Sequence, residues 1–197
     1  MVQEELNSSG LTPKSGALAF AAEMIKVALI ALAIILPVRY FLVKPFYVNG
    51  ASMEPNYFDK EYLIIDEISY RFAEPARGEV VVFHYPQDES QYFIKRVIGL
   101  PGERVVVAGG KITIYNAVQT QGLVLDEPYL LPDVLTAGAV DVALGADEFF
   151  VFGDNRNASL DSRRFGPVNR QEIVGRTWLR GWPFDRVGVL NEYKFNF

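Results

Sequence analysis

The chain has 197 residues, half of them hydrophobic, enough to bury one sizeable core and a small satellite subdomain. A net charge of −5 gives no reason to expect nucleic acid, which needs a clustered basic face, and the lack of cysteine excludes disulfides and thiolate metal sites. The single histidine, His84, rules out a multi-histidine metal site and leaves one candidate at most for a Ser-His-Asp triad. Residues 1–16 read as a polar, frayed tail carrying Ser8-Ser9-Gly10 and Thr12-Pro13. Residues 17–43 follow as a mostly apolar helical segment bearing Glu23, Lys26 and Arg39. The uncharged run from Val27 to Val38 is short for a membrane span. Glu23 and Lys26, three apart, can pair, and Lys26 and Arg39 can carry their charges toward opposite interfaces. On that reading residues 17–43 reach about 40 Å at ~1.5 Å per residue, enough to cross a ~30 Å hydrocarbon core. Tyr40, Phe41 and Phe46 then supply an interfacial aromatic belt. A cleaved signal peptide is the rival, but Pro37-Val38-Arg39-Tyr40 stands where a small-x-small cleavage site would follow, so an uncleaved anchor is favoured. Lys14 and Lys26 on one side balance Arg39 and Lys44 on the other, and the charges do not settle orientation.

Residues 44–197 take on β character. Glu61–Asp66, Glu79–Tyr85 (stopped by Pro86) and Phe93–Ile98 are candidate strands. Arg104–Val107 and Lys111–Tyr115, joined through Ala108-Gly109-Gly110, read as a hairpin with Ile112 and Ile114 on one face. Residues 117–146 are weakly patterned and look like part of an insertion, with short strands, spanning about 104–147. Glu148–Phe152 and Glu172–Leu179 complete the strands, and the tail from Gly181 reads as loop. The reading is a mostly β domain behind one N-terminal transmembrane helix.

Three stretches concentrate chemistry. Gly50-Ala51-Ser52-Met53-Glu54-Pro55 places a serine in a turn just past the apolar segment; by itself this is an ordinary turn before a strand. Tyr92 to Glu103 sets Lys95 inside an apolar run. Gly153 to Arg163 packs Asp154, Arg156, Ser159, Asp161 and Arg163 into a loop after an aromatic strand. A serine hydroxyl is a poor nucleophile until a base takes its proton, and lysine serves only when neutral. At a pKa near 10.4 roughly one lysine in 2,500 is neutral at pH 7, so such a base needs desolvation. Strand alternation puts Lys95 on one face with Phe93 and Val97, and sends Arg96 toward solvent. Two environments are open to Lys95: burial on that face, or snorkelling from a strand edge. His84, isolated at a strand end, reads as a surface or capping residue rather than a base. The acidic and basic groups of the third stretch read as an ion-pair network fixing their loop, and Gly99, Gly102 and Gly166 read as turn residues.

These three blocks, in this order behind an apolar anchor, resemble the bacterial-type type I signal peptidases, membrane-bound serine–lysine proteases that remove signal peptides. The match runs from about Tyr40 to Arg186 and includes Lys95-Arg96-Val97-Ile98-Gly99-Leu100-Pro101-Gly102-Glu103 and Gly153-Asp154-Asn155-Arg156 through Ser159, Asp161, Ser162 and Arg163 to Phe165-Gly166. The resemblance implies Ser52 as nucleophile and Lys95 as general base, Ser159 orienting Lys95, and Asp161 and Arg163 holding that loop. It implies a coiled catalytic β-sheet, as in signal peptidases and LexA-like proteins, with a smaller β subdomain inserted between the lysine block and the Gly153 block. No cofactor and no metal are implied; the partners are preprotein signal peptides and a lipid bilayer, and the chain acts as a monomer with its catalytic domain on the non-cytoplasmic side of a bacterial plasma or other energy-transducing membrane. The chain departs from the family pattern at three places. Gly50 stands where some members carry an oxyanion-stabilising serine, leaving that work to backbone N–H groups including that of Ser52; Asn56 replaces the usual threonine; and Asn157-Ala158 replaces Asp-Asn.

A substrate with small residues one and three places before the cut presents both to the same side when extended. Shallow apolar pockets would accept alanine there, and the resemblance offers Phe46, Val48, Met53 and Ile94 as lining; each reads equally well as ordinary core. Ser52 lies nine residues past Val43, which keeps the serine close to the bilayer surface. Other serine–lysine proteases, a self-cleaving repressor or a pilus-processing peptidase, are the alternative. A repressor needs a helix-turn-helix ahead of the serine, where this chain carries an apolar helix. A non-enzymatic β adapter gives no purpose to a lysine placed for a serine.

Overall fold

The computed structural model of the protein describes residues 14–37, 43–190, 193, 195 and 196. Among the described residues, one helix, α1 (Lys14–Pro37), precedes the β domain. Its stretch from Gly16 to Leu36, with mean hydropathy 2.3, is long and apolar enough to cross a membrane. Apolar side chains surround the whole circumference, as a lipid-facing helix requires. The observed helix begins inside the expected tail, at Lys14, and Val43, expected at the helix end, instead opens a strand. Residues 1–13 of the expected tail, and 38–42 with Arg39 and Tyr40, lie outside the described residues.

Past the helix the strands follow as β1 (Val43–Tyr47), β2 (Tyr62–Asp66), β3 (Val80–Tyr85), β4 (Asp88–Gly99), β5 (Arg104–Ala108), β6 (Lys111–Tyr115), β7 (Leu123–Val124), β8 (Val140–Ala143), β9 (Glu148–Phe152), β10 (Val168–Asn169), β11 (Ile173–Trp182) and β12 (Gly188–Val189), with a one-turn helix α2 (Ser162–Phe165). They form an antiparallel sheet in the order β1-β2-β11-β3-β4-β9-β10, with β12 added to β11, and a second antiparallel sheet ordered β7-β6-β5-β8. The mostly β architecture with one N-terminal apolar helix is as the sequence reads.

Side-chain alternation explains how the layers share strands. In β9, Phe149 and Val151 enter one cluster with Val81, Phe83 and Val97, while Phe150 and Phe152 enter another with Val105, Ile112 and Ile114 of the second sheet. A strand covered on both faces reads as the continuous apolar run Phe149-Phe150-Val151-Phe152. The β5–β6 turn is formed by Gly109 and Gly110, both at positive φ (58° and 81°), the geometry of a tight two-residue hairpin that non-glycine residues resist. Gly99 is more than the turn residue the sequence implies. An added Cβ there would fall 2.6 Å from Val105 and 2.8 Å from Leu144, so its bare backbone lets the second sheet approach β4. The tail from Gly181 is likewise not all loop: β11 runs to Trp182, and Arg180 and Arg186 meet the buried Glu61 carboxylate at 2.9 and 2.6 Å.

Candidate active site

Ser52 sits in the turn between β1 and β2. The turn is tied down by Gly50 N–H donating to Asp59 Oδ1 at 2.8 Å, and by Asn56 and Tyr57 N–H groups donating to Met53 O at 3.1 and 3.0 Å. Lys95 lies on β4 opposite Val81. Strand β9 pairs with β4 only from Arg96↔Phe152 onward, so the chain leaving β9 at Gly153 passes directly beside Lys95. That crossing brings the three chemical stretches together. Lys95 Nζ donates to Ser52 Oγ at 2.8 Å and to Ile94 O at 2.8 Å. Asn155 closes the third side, its N–H donating to Ser52 O at 3.1 Å and its Nδ2 to Ala51 O at 3.0 Å.

Of the two environments open to Lys95, the structure shows burial: the residue is 4% exposed. Burial pushes its ammonium down from 10.5 to about 8, against the pull of the Asp161 and Asp154 carboxylates. A lysine at about 8 is neutral roughly one time in ten at pH 7, several hundredfold more often than a free one. The fold therefore disfavours the charged amine by about 3 kcal/mol.

Arg96 does not face solvent as alternation suggests; it is equally buried. Its guanidinium grips Asp154 through Nε–Oδ1 at 2.8 Å and Nη2–Oδ2 at 2.6 Å, and donates to Gly78 O at 2.8 Å. Removing one partner of a buried bidentate pair of this kind is strongly destabilising, because it leaves an uncompensated charge in the interior. Asp161 caps α2 and receives Arg163 Nε and Nη2, each at 2.8 Å, with Gly153 N–H at 3.1 Å. Burial pushes the Asp161 carboxyl up, and these donors outweigh it and hold the group below its usual range. Arg163 also reaches Ala137 O and Arg156 O, tying the loop to the linker of the second sheet. Ser159 is packed against Gly153, and its buried hydroxyl forms no bond to Lys95; it faces the Asp161 carboxylate, which it helps to hold down. His84 is apart from this constellation, its Nδ1 meeting Glu89 O at 2.8 Å beside the Tyr92 ring.

A cavity of about 400 Å³ opens onto Ser52 and Lys95. Phe46, Val48 and Ile94 are on its wall, together with Tyr92, Ala158 and Leu160. Met53 is not: with no exposed surface it belongs to the core cluster of Val48, Tyr57, Leu63 and Val82. The turn that presents the Ser52 hydroxyl turns its neighbour's side chain inward. Ala158 and Leu160 carry no periodic signal in the sequence, because they belong to a loop without strand or helix period; only their place between Asp154 and Asp161 marks them.

A serine hydroxyl bonded to a buried, partly neutral lysine, on a β scaffold that keeps its histidine elsewhere, is the arrangement of a serine–lysine hydrolase. Residues 21–182 match the family described as signal peptidase, peptidase S26, and the chain belongs to that family. It is 39% identical over 177 residues to a probable signal peptidase I-2 of Synechocystis sp., spanning 86% of this chain and 77% of that protein. It is 40% identical over 176 residues to a signal peptidase I of Leptolyngbya laminosa, spanning 85% of this chain and 83% of the relative. The crystal structure of a signal peptidase I from Enterococcus faecalis V583 matches with a TM-score of 0.44 at 28% identity, over 53% of this chain and 97% of that one.

Proposed function

We propose that the chain is a membrane-anchored serine endopeptidase that removes N-terminal signal peptides from preproteins, cutting after Ala-x-Ala-like sites, with Ser52 as nucleophile and Lys95 as general base. The observation that carries this is the 2.8 Å contact between Ser52 Oγ and a lysine amine that burial brings to about 8. In the neutral form Lys95 takes the Ser52 proton as Oγ attacks the scissile carbonyl. Backbone N–H groups, that of Ser52 among them, receive the oxyanion. The resulting ammonium gives its proton to the departing amine. Water, deprotonated by the same amine, then releases the acyl group. Ser159 is the proposed acceptor for Lys95 in its ammonium form, and the Asp161–Arg163 pair holds that loop in place. The self-cleaving and pilus-processing alternatives are not favoured, since residues 21–182 match the signal peptidase family.

Phe46, Val48 and Ile94 are the proposed lining for the small substrate residues. The test is cleavage of a preprotein by the full chain in detergent, expected as one cut after Ala-x-Ala. With leucine at the position before the cut, cleavage should fall by about 5- to 150-fold, because a shallow pocket accepts extra methylenes only with overpacking of ~1–3 kcal/mol. Equal cutting of both substrates would remove the pocket assignment; no cut in either would remove the function.

The β domain is proposed to act as a monomer on the non-cytoplasmic side of a bacterial membrane, where preprotein ends emerge. Protease added to intact spheroplasts should digest the domain. Digestion only after lysis would place it inside and overturn the assignment.

A further inference from the structure

The loop leaving β9 has two sides. Asn155 bonds forward, to Ser52 O and Ala51 O. Its neighbours Asp154 and Arg156 bond backward. Asp154 is gripped by Arg96, and Arg156 is held by Glu127 at 3.0 and 2.6 Å, Thr136 Oγ1 at 2.5 Å and Tyr129 Oη at 2.9 Å. Those three partners all belong to the linker between β7 and β8 of the second sheet. Tyr129 also stacks its ring on the Arg96 guanidinium, 4.2 Å from the centroid.

One side chain joins this bundle straight back to the nucleophile's turn. Asn56, four residues after Ser52, donates from Nδ2 to Asp154 Oδ2 at 2.9 Å and to Tyr129 O at 3.0 Å. Its backbone N–H meanwhile belongs to the turn itself, donating to Met53 O. The connections form a closed ring: Ser52 to Asn155, along the chain to Asp154, across to Asn56, and back through the turn to Ser52. Tyr129 stands at the junction where the second sheet's linker enters that ring.

We propose that Asn56 is a positioning residue that couples the linker of the second sheet to the nucleophile turn and so fixes the Ser52–Lys95 geometry. The inference rests on the serine–lysine reading above. A primary amide has two N–H donors, enough to hold two segments at once; a carboxylate has none and a hydroxyl one. Removing the amide leaves the buried Asp154 still paired with Arg96, so no uncompensated charge remains to unfold the domain. Asn56 is not on the cavity wall, so substrate binding keeps its contacts. What is lost is the fixed placement of the turn. The effect therefore falls on kcat, not on KM and not on folding.

The test compares native chain, Asn56→Ala and Asn56→Thr in detergent, with Asp141→Ala as control, since the Arg104–Asp141 pair on the second sheet is half exposed and makes none of the ring's hydrogen bonds. Asn56→Ala should lower kcat about 10- to 100-fold, the cost of a misplacement near 1 Å, with KM within about threefold of native. Hydrogen exchange over residues 50–57 and 153–157 should accelerate at least about tenfold while residues 104–115 stay unchanged, a local opening rather than a global one. Asn56→Thr, with one donor, should fall between, and it carries the comparison if Asn56→Ala does not fold. A kcat within about twofold of native, or exchange rising equally over both sheets, overturns the proposal. If native chain fails to cut the preprotein while exchange in Asn56→Ala opens as described, the positioning role stands and the protease reading falls.

Discussion

Lys95→Arg and Lys95→Ala are each expected to lower preprotein cleavage by about 10⁴-fold or more. Arginine keeps a cation at the position but stays protonated at any usable pH, so it cannot take the Ser52 proton. Ser52→Ala should be as severe, and the Ser52→Ala/Lys95→Ala double variant no worse than either, because the two groups of the proposed dyad, 2.8 Å apart, would act as a unit. Native activity should climb as pH rises through about 8, since the folded-state pKa is depressed and the reactive form is the deprotonated one. His84→Ala should keep activity near native, its ring being engaged with Glu89 O and Tyr92. Kinetics of purified variants, checked for intact folding by melting temperature, decide the matter. Cleavage retained in Lys95→Ala and abolished in His84→Ala would reverse the assignment.

Gly153→Ala is expected to cost about 10²-fold in activity although it alters no ionisable group. A Cβ at this position would lie 2.4 Å from Ser52 O and 2.1 Å from Ser159 Oγ. The first of these is backbone and cannot rotate away, so the loop must withdraw from the nucleophile turn and stretch the Asn155 N–H to Ser52 O bond. Displacements near 1 Å at a reacting pair carry penalties of that order, and overpacking adds ~1–3 kcal/mol of destabilisation. Gly188→Ala is the control, because nothing lies within 4 Å of its added Cβ. A Gly153→Ala enzyme as active as Gly188→Ala would show that the loop does not need this close approach.

Both predictions depend on features that were legible to different degrees. The Ser52 turn, the lysine within an apolar run and the polar loop are visible as composition, and their order carried the family resemblance. What composition could not supply is the role of Gly153. As a glycine at a strand end it suggests a turn; only the course of β9 beside Lys95 reveals that two other segments occupy the space of its missing side chain. Asn56 was visible only as an unusual residue after Pro55, since its partners lie 73 and 98 positions away.

The sequence by itself determined the apolar helix, the strands β2 to β6, β9 and β11 in outline and the Gly109-Gly110 hairpin, because each follows from a local period or a local φ requirement that neighbours along the chain already satisfy. Tertiary structure decided the rest. Lys95 and Arg96 are adjacent, and alternation makes one inner and one outer, yet both are buried. Arg96 can be so only because Asp154, 58 residues on, arrives with both carboxylate oxygens; Lys95 is pushed down to about 8 because burial outweighs the pull of the Asp161 and Asp154 carboxylates. Met53 turned inward while Phe46, Val48 and Ile94 remained at the cavity, for the same reason: burial is set by what crosses the strand from elsewhere in the chain, and no local pattern records it.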